Sequence, residues 1–230
     1  MSSQGQNLHE LQATSFGEAA EPMSPAMMLA LQANFGSVEH WRAEWVALAA
    51  TRTPARTPAN HPDSRVLTLA FEPRDGTLVH RWDDSGVPIL AIDLRTHATA
   101  EIDVLAERIR WVSVYERYQL AVHNASEPFG ADPDQLGGAL VLDVRRAGVF
   151  GSAVSLLPGA RWRDPGSVGA WAGELPRDRP VVVYCVYGHE VGRATALRLR
   201  AHGVPAHFLR GGIDAWQAAG RPTEPKGAAS

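Results

Sequence analysis

The spacing of apolar residues divides the chain into distinct zones. Between Ser24 and Thr51, Met27, Met28, Leu31, Phe35, Trp41, Trp45 and Leu48 recur at helical intervals, and Gly36 interrupts the series with Ser37 behind it as an N-cap. Two helices are predicted there. Three prolines, Pro54, Pro58 and Pro62, then make Thr53 to Pro62 a loop. Arg65 to Phe71 and Thr77 to Trp82 read as strands joined by a turn carrying Asp75-Gly76, and a third strand runs from Val87 to Leu94. A helix is expected from Ile102 to Ala121, with Leu105, Ile109, Val112, Tyr115 and Leu120 as its apolar stripe. His123 to Gly138, rich in Asn, Ser, Pro, Asp and Gly, reads as an interdomain linker.

Beyond the linker the pattern changes to strands alternating with helices. Ala139 to Val144, Pro180 to Cys185 and Pro205 to Leu209 are short, continuous apolar runs, the signature of a parallel sheet covered on both faces. The expected organisation is a two-domain chain: residues 1–122, an α+β domain of helices plus a small antiparallel sheet; 123–138, the linker; 139–222, an α/β domain with a parallel sheet; and 223–230, a frayed tail.

Composition narrows the function classes. A formal charge of −3 offers no basic field for a phosphate backbone, so no nucleic-acid partner is expected. No apolar stretch approaches the roughly 20 residues needed to span a bilayer, so no membrane association is expected either. The first residues lack the basic start and apolar core of a signal peptide, and a single cysteine permits no internal disulfide; the expectation is a cytoplasmic protein.

That cysteine carries the candidate chemistry. Cys185 follows Val181-Val182-Val183-Tyr184 and opens the segment Val186-Tyr187-Gly188-His189-Glu190-Val191-Gly192, where a strand gives way to a helix. Ligands bind beyond the carboxyl ends of parallel strands, where Cys185, Asp143 and Arg145 all fall. Gly188 and Gly192 allow the loop to wrap closely and turn its N–H groups toward the sulfur, and a helix N-terminus favours the thiolate. Arg193, a turn further on, is expected to face solvent. Two other readings stand beside this one: an inert buried cysteine, and a phosphatase, which would require a phosphate-gripping arginine where Val191 stands.

The segment from about Pro133 to Pro222 resembles the rhodanese family of sulfurtransferases. The matching pieces are Leu142-Asp143-Val144-Arg145, Leu157-Pro158-Gly159-Ala160, Cys185 with Gly188, and Leu209-Arg210-Gly211-Gly212-Ile213-Asp214-Ala215-Trp216. The resemblance implies that Cys185 carries sulfane sulfur as a persulfide from a small-molecule or protein donor to a thiol or cyanide acceptor, with no cofactor, and that Asp143 and Arg145 brace the loop. The family's loop carries basic residues where this chain has Val186, Glu190 and Val191, which tells against thiosulfate as the donor.

The segment from about Phe16 to Val122 resembles the C-terminal domain of iron/manganese superoxide dismutases, through Asn34-Phe35-Gly36-Ser37-Val38-Glu39-His40-Trp41 and Pro88 to Ala98, with Asp93 and His97 at the family's ligand positions. Ile109-Arg110-Trp111 and Arg117-Tyr118 echo its final helix. The resemblance implies a partial iron or manganese site of Asp93, His97 and His9, and a homodimer. Arg95 and Thr96 replace the family's tryptophan and glutamate beside these ligands, and the first helix is missing. Three functions therefore compete: a sulfurtransferase, a metal-dependent oxidoreductase with a redox accessory domain, and a non-catalytic regulatory or binding module.

Overall fold

The computed structural model describes residues 3–51, 66–83, 85–95 and 101–227, and its contacts divide the chain into two compact units, residues 1–72 with 78–121 and residues 122–230 with 73–77. The proline loop between Thr53 and Pro62 lies outside the described residues.

The first unit holds α1 (Ser3–Ser15), α2 (Pro25–Phe35), α3 (Val38–Ala50), β1 (Val66–Glu72), β2 (Thr77–Arg81), β3 (Val87–Asp93), α4 (Ile102–Glu107) and the greater part of α5 (Trp111–Ser126). The local signals act as expected at the α2–α3 junction. Ser24 Oγ accepts from the Met27 amide at 3.2 Å and Ser37 Oγ from the His40 amide at 3.0 Å, while Gly36 turns the chain at φ +84°. The sheet has the order β2-β1-β3, with β1 and β3 antiparallel from Val66 opposite Asp93 to Phe71 opposite Val87. Trp41, Trp45, Leu67, Leu69, Phe71, Leu90 and Ile92 are buried. Helix α1, at the polar start of the chain, has no counterpart in the sequence expectation. Its Gln12 side-chain oxygen accepts from the Asp93 amide at 2.7 Å.

The helix expected from Ile102 to Ala121 is two helices. Ile109 forms a bridge with Phe16 instead, with Gly17 N donating to Arg108 O at 2.9 Å and Arg110 N to Ser15 O at 2.8 Å. Pulling Ile109 into that pairing breaks the helix and rotates α5 relative to the expected stripe: Val112 and Leu120 are exposed, whereas Trp111, Val114, Tyr118 and Ala121 are buried. Among the described residues, no helix is long and apolar enough to cross a membrane.

The second unit contains β4 (Gly130–Ala131), β5 (Leu140–Asp143), α6 (Ala147–Gly151), β6 (Ser155–Leu156), β7 (Arg161–Trp162), α7 (Val168–Trp171), β8 (Val181–Tyr184), α8 (Glu190–Ala201), β9 (Ala206–Leu209), α9 (Gly212–Ala218) and β10 (Glu224–Pro225). Five strands form a parallel sheet in the order β4-β9-β8-β5-β7. Strand alternation sends Val181 and Val183 to one face, packed with Ala196 and Leu199 of α8 and Trp171 of α7, and sends Val182 and Tyr184 to the other, packed with Ile213 and Trp216 of α9. Helices thus cover both faces, which is why these strands are continuously apolar.

Two expectations change here. His123 to Gly138 contains the last turn of α5, two short 3-10 turns and β4, which pairs with β9. Of the supposed tail, residues 223–227 are held in place: β10 pairs with β6, Lys226 N donates to Val154 O at 2.9 Å, and Lys226 Nζ donates to the carbonyls of Phe150 and Gly151.

Candidate active site

Strand β8 ends at Tyr184, and Cys185 is the next residue, 6% exposed, at the carboxyl edge of the sheet. The chain then turns through 186–189 into α8. Gly188 makes the turn at φ +68°, and a side chain on it would sit 2.6 Å from Gly211 N and 2.8 Å from Leu209 O. Gly192 stands against the sulfur: a Cβ there would lie 3.3 Å from Cys185 Sγ. These two positions need glycine for different reasons, backbone conformation at Gly188 and proximity of the thiol at Gly192.

Two effects oppose each other at the sulfur. Burial pushes the Cys185 thiol above its ordinary value, and the Glu190 carboxylate adds to that; the backbone amides of Gly192, His189 and Gly188 act the other way by hydrogen-bonding the charged form. Burial wins, so the resting group is a thiol held among amides. The expectation that the helix terminus would lower its pKa gives way to desolvation. Tyr187 and His189 are exposed, their rings 5.7 Å apart, while Glu190 is buried and Val186 and Val191 are half-buried.

Asp143 ends β5 directly opposite Tyr184 in the sheet register. Its carboxylate is fully buried and accepts from the Arg145 amide at 2.9 Å, from Arg145 Nε at 3.0 and 2.9 Å, from Arg145 Nη2 at 2.5 Å and from the Tyr184 hydroxyl at 2.9 Å. Arg145 Nη2 also reaches Ser155 O at 2.9 Å. Burial, then the Asp143 charge, hold the Tyr184 proton far above the usual phenol range, so this hydroxyl stays a donor. The network meets the thiol loop through Tyr184, the residue before Cys185, and not through direct bonds from Arg145 to residues 185–192.

Arg193 does not face solvent. Its Nε donates to Gly188 O at 2.9 Å, its Nη1 reaches Ser126 Oγ at 3.1 Å and Glu127 Oε2 at 3.0 Å, and its guanidinium lies 4.1 Å from the centre of the Phe208 ring. Sequence reading also missed Tyr184 and Glu127, which pairs with Arg210 as well as Arg193. These partners are far apart in the chain and leave no periodic signal.

In the first unit, Asp93 is 8% exposed and Arg95 covers its carboxylate: Nε lies 3.0 Å from both oxygens and Nη2 2.6 Å from Oδ2. His97 and the side chain of His9 lie outside the described residues. Among the described residues no group of three or more His, Cys, Asp or Glu could hold a metal ion. A carboxylate already forked onto a guanidinium does not fit an ion-ligating role.

The family model described as "Rhodanese-like domain" matches residues 129–219, so the second unit carries a rhodanese-like domain. The chain is 30% identical over 133 residues to an iron superoxide dismutase of Cupriavidus metallidurans, a match covering 51% of this chain and 63% of that protein. Thus the chain spans under two thirds of the length of this curated relative. Among solved structures, a rhodanese-related protein from Thermoplasma volcanium is 22% identical, covers 41% of this chain and 96% of its own, and superposes with a TM-score of 0.37. A rhodanese-like domain protein from Staphylococcus aureus is 19% identical over 38% of this chain and 89% of its own, with a TM-score of 0.34.

Proposed function

We propose that the protein is a sulfurtransferase in which Cys185 carries sulfane sulfur as a persulfide and delivers it to a thiol or cyanide acceptor. The observation that carries this reading is a sulfur at the carboxyl edge of a parallel sheet, with Gly192 close against it and the Gly188, His189 and Gly192 amides favouring its charged form. Backbone amides that favour the charged form suit the negative charge that sulfur bears both as the attacking thiolate and as the persulfide. A small-molecule or protein donor and a thiol acceptor are the partners it implies. Val191 in place of a phosphate-gripping arginine tells against phosphoryl transfer.

Incubating the full chain with sulfane-sulfur donors and weighing the intact protein tests the proposal. One added sulfur atom is expected, absent from Cys185→Ser; no adduct with any donor overturns it.

The first unit is read as a scaffold rather than a dismutase centre, on the pairing of Asp93 with Arg95. Metal analysis of protein purified without chelators is the check. One iron or manganese per chain would overturn this reading.

A further inference from the structure

One residue controls the backbone on both sides of His189. Cys185 Sγ lies 4.0 Å from the His189 carbonyl oxygen, so the His189 backbone borders the thiol. Arg193 Nε donates to Gly188 O at 2.9 Å, and the Arg193 backbone N–H donates to His189 O at 3.1 Å. The carbonyls before and after His189 are therefore both held by Arg193. In a trans peptide the C=O and N–H point in opposite directions. Holding Gly188 O against the guanidinium thus turns the His189 N–H away from Arg193, and that amide is one of those that favour the charged sulfur.

The guanidinium is itself fixed. The Arg193 side chain is 12% exposed, its Nη1 reaches Ser126 Oγ at 3.1 Å and Glu127 Oε2 at 3.0 Å, and it stacks 4.1 Å from the centre of the Phe208 ring. Arg210 binds Oε1 of Glu127, so the anchoring carboxylate is held in turn. Gly188, at φ +68°, has no Cβ to hinder rotation of the peptide that follows it, so the orientation of that peptide depends on what its carbonyl binds.

We propose that Arg193 is a positioning residue for sulfur transfer, anchored by Glu127, and that it locks the Gly188–His189 peptide with its N–H toward the Cys185 sulfur. This rests on the reading of Cys185 as a persulfide carrier. Without the guanidinium the peptide is free to turn over and to present its carbonyl oxygen where the amide stood. A carbonyl oxygen repels the same negative charge that an amide N–H receives. Arg193 touches neither donor nor acceptor in this role; it acts through the backbone of His189.

The test follows the thiol directly, through the pH dependence of its alkylation by iodoacetamide on the full chain, beside sulfur loading from inorganic tetrasulfide read by intact mass. Arg193→Met keeps an apolar stem and removes the donors. Its alkylation midpoint is expected to rise by about one pH unit, and its loading below that midpoint to slow about tenfold, the scale of one hydrogen bond to a charged group. Glu127→Ala separates position from charge. Deleting a carboxylate would by charge alone lower the midpoint, whereas releasing Arg193 raises it. The Glu127 side chain is 44% exposed, so this variant carries the test even where Arg193→Met fails to fold. Glu190, which also acts on the sulfur, is unaltered in both. A contact that served stability alone would lower the urea midpoint and leave the alkylation midpoint in place. A midpoint that fails to rise in Glu127→Ala, or in folded Arg193→Met, overturns the proposal. Absence of loading in the unmodified protein overturns the persulfide carrier instead, and the alkylation midpoints still decide the role of Arg193.

Discussion

The backbone N–H of Ile213 donates to the carbonyl of Cys185 at 3.0 Å. The closing Gly-Gly segment therefore grips the peptide of the cysteine itself, and Asp214 N repeats the contact on Val186 O at 3.0 Å. Strand β8 fixes one end of the loop, α8 the other, and the start of α9 its middle.

This arrangement leaves no room at Gly212, which holds φ +59° with any added Cβ overlapping the carbonyl oxygens of Cys185 and Val186. Gly212→Ala is expected to cost about 1–3 kcal/mol in backbone strain alone and to displace the carbonyls that position the thiol. Denaturant midpoints and the rate of sulfur loading check it. An unchanged rate would mean that the Gly-Gly closure does not set the loop's geometry.

Among the described residues the same Asp-x-Arg clasp occurs twice, and environment separates the two. At both Asp93-Arg95 and Asp143-Arg145 the arginine amide donates to Oδ1 at 2.9 Å and the guanidinium forks onto the carboxylate. The Arg95 side chain is 61% exposed, but that of Arg145 is 7% exposed over a fully buried Asp143. Removing one partner of a buried pair strands a charge at roughly 3–5 kcal/mol, while an exposed partner is worth about 1 kcal/mol or less. Arg145→Met is therefore expected to destabilise severely and Arg95→Met only slightly. Paired urea titrations decide it, and equal losses would contradict the account.

Because burial raises the Cys185 thiol, the attacking thiolate is scarce at neutral pH. The loading rate should climb as pH rises and still be climbing beyond the ordinary thiol value of about 8.5. Glu190→Gln removes one of the causes that raise the thiol, so its profile should move to lower pH. A stopped-flow pH series with a persulfide donor provides the measurement. A plateau already reached near neutrality would show a thiolate stabilised beyond what burial permits.

Strands β5, β8 and β9 were legible because burial on both faces leaves an unbroken branched apolar run, and Cys185 was legible because such a run ended on it. The α2–α3 junction was legible through Ser24, Gly36 and Ser37, whose capping chemistry is local. The features that escaped depend on partners distant in sequence. Ile109 looks helical until Phe16 pairs with it, and Lys226 looks like tail until the carbonyls of Phe150 and Gly151 receive it. Arg193 looks exposed because nothing in its helix announces Glu127 and the Gly188 carbonyl. Asp93 and Arg95 stand two apart in the sequence, but only the fold turns the guanidinium back onto the carboxylate.

His80 is expected to make the first unit sensitive to mild acid. Its side chain is 3% exposed, stacked on Phe35 with ring centres 4.9 Å apart and 5.5 Å from the Trp45 ring, with Nδ1 2.9 Å from Glu44 Oε1. Burial lowers its pKa despite the opposing pull of Glu44. The unfolded chain, with an imidazole near 6.5, binds the proton more readily than the folded one, so this contribution to stability is present above about pH 6.5 and is lost as pH falls toward the folded value. Each unit of depression corresponds to about 1.4 kcal/mol. His80→Phe keeps the aromatic packing and removes the titration, so its urea midpoint should fall less than that of the unmodified protein between about pH 6.5 and pH 5, the window set by the ordinary imidazole value. Tryptophan fluorescence, with Trp41 and Trp45 in this core, follows the transition. Parallel pH dependence in the two proteins would show that another group governs acid sensitivity.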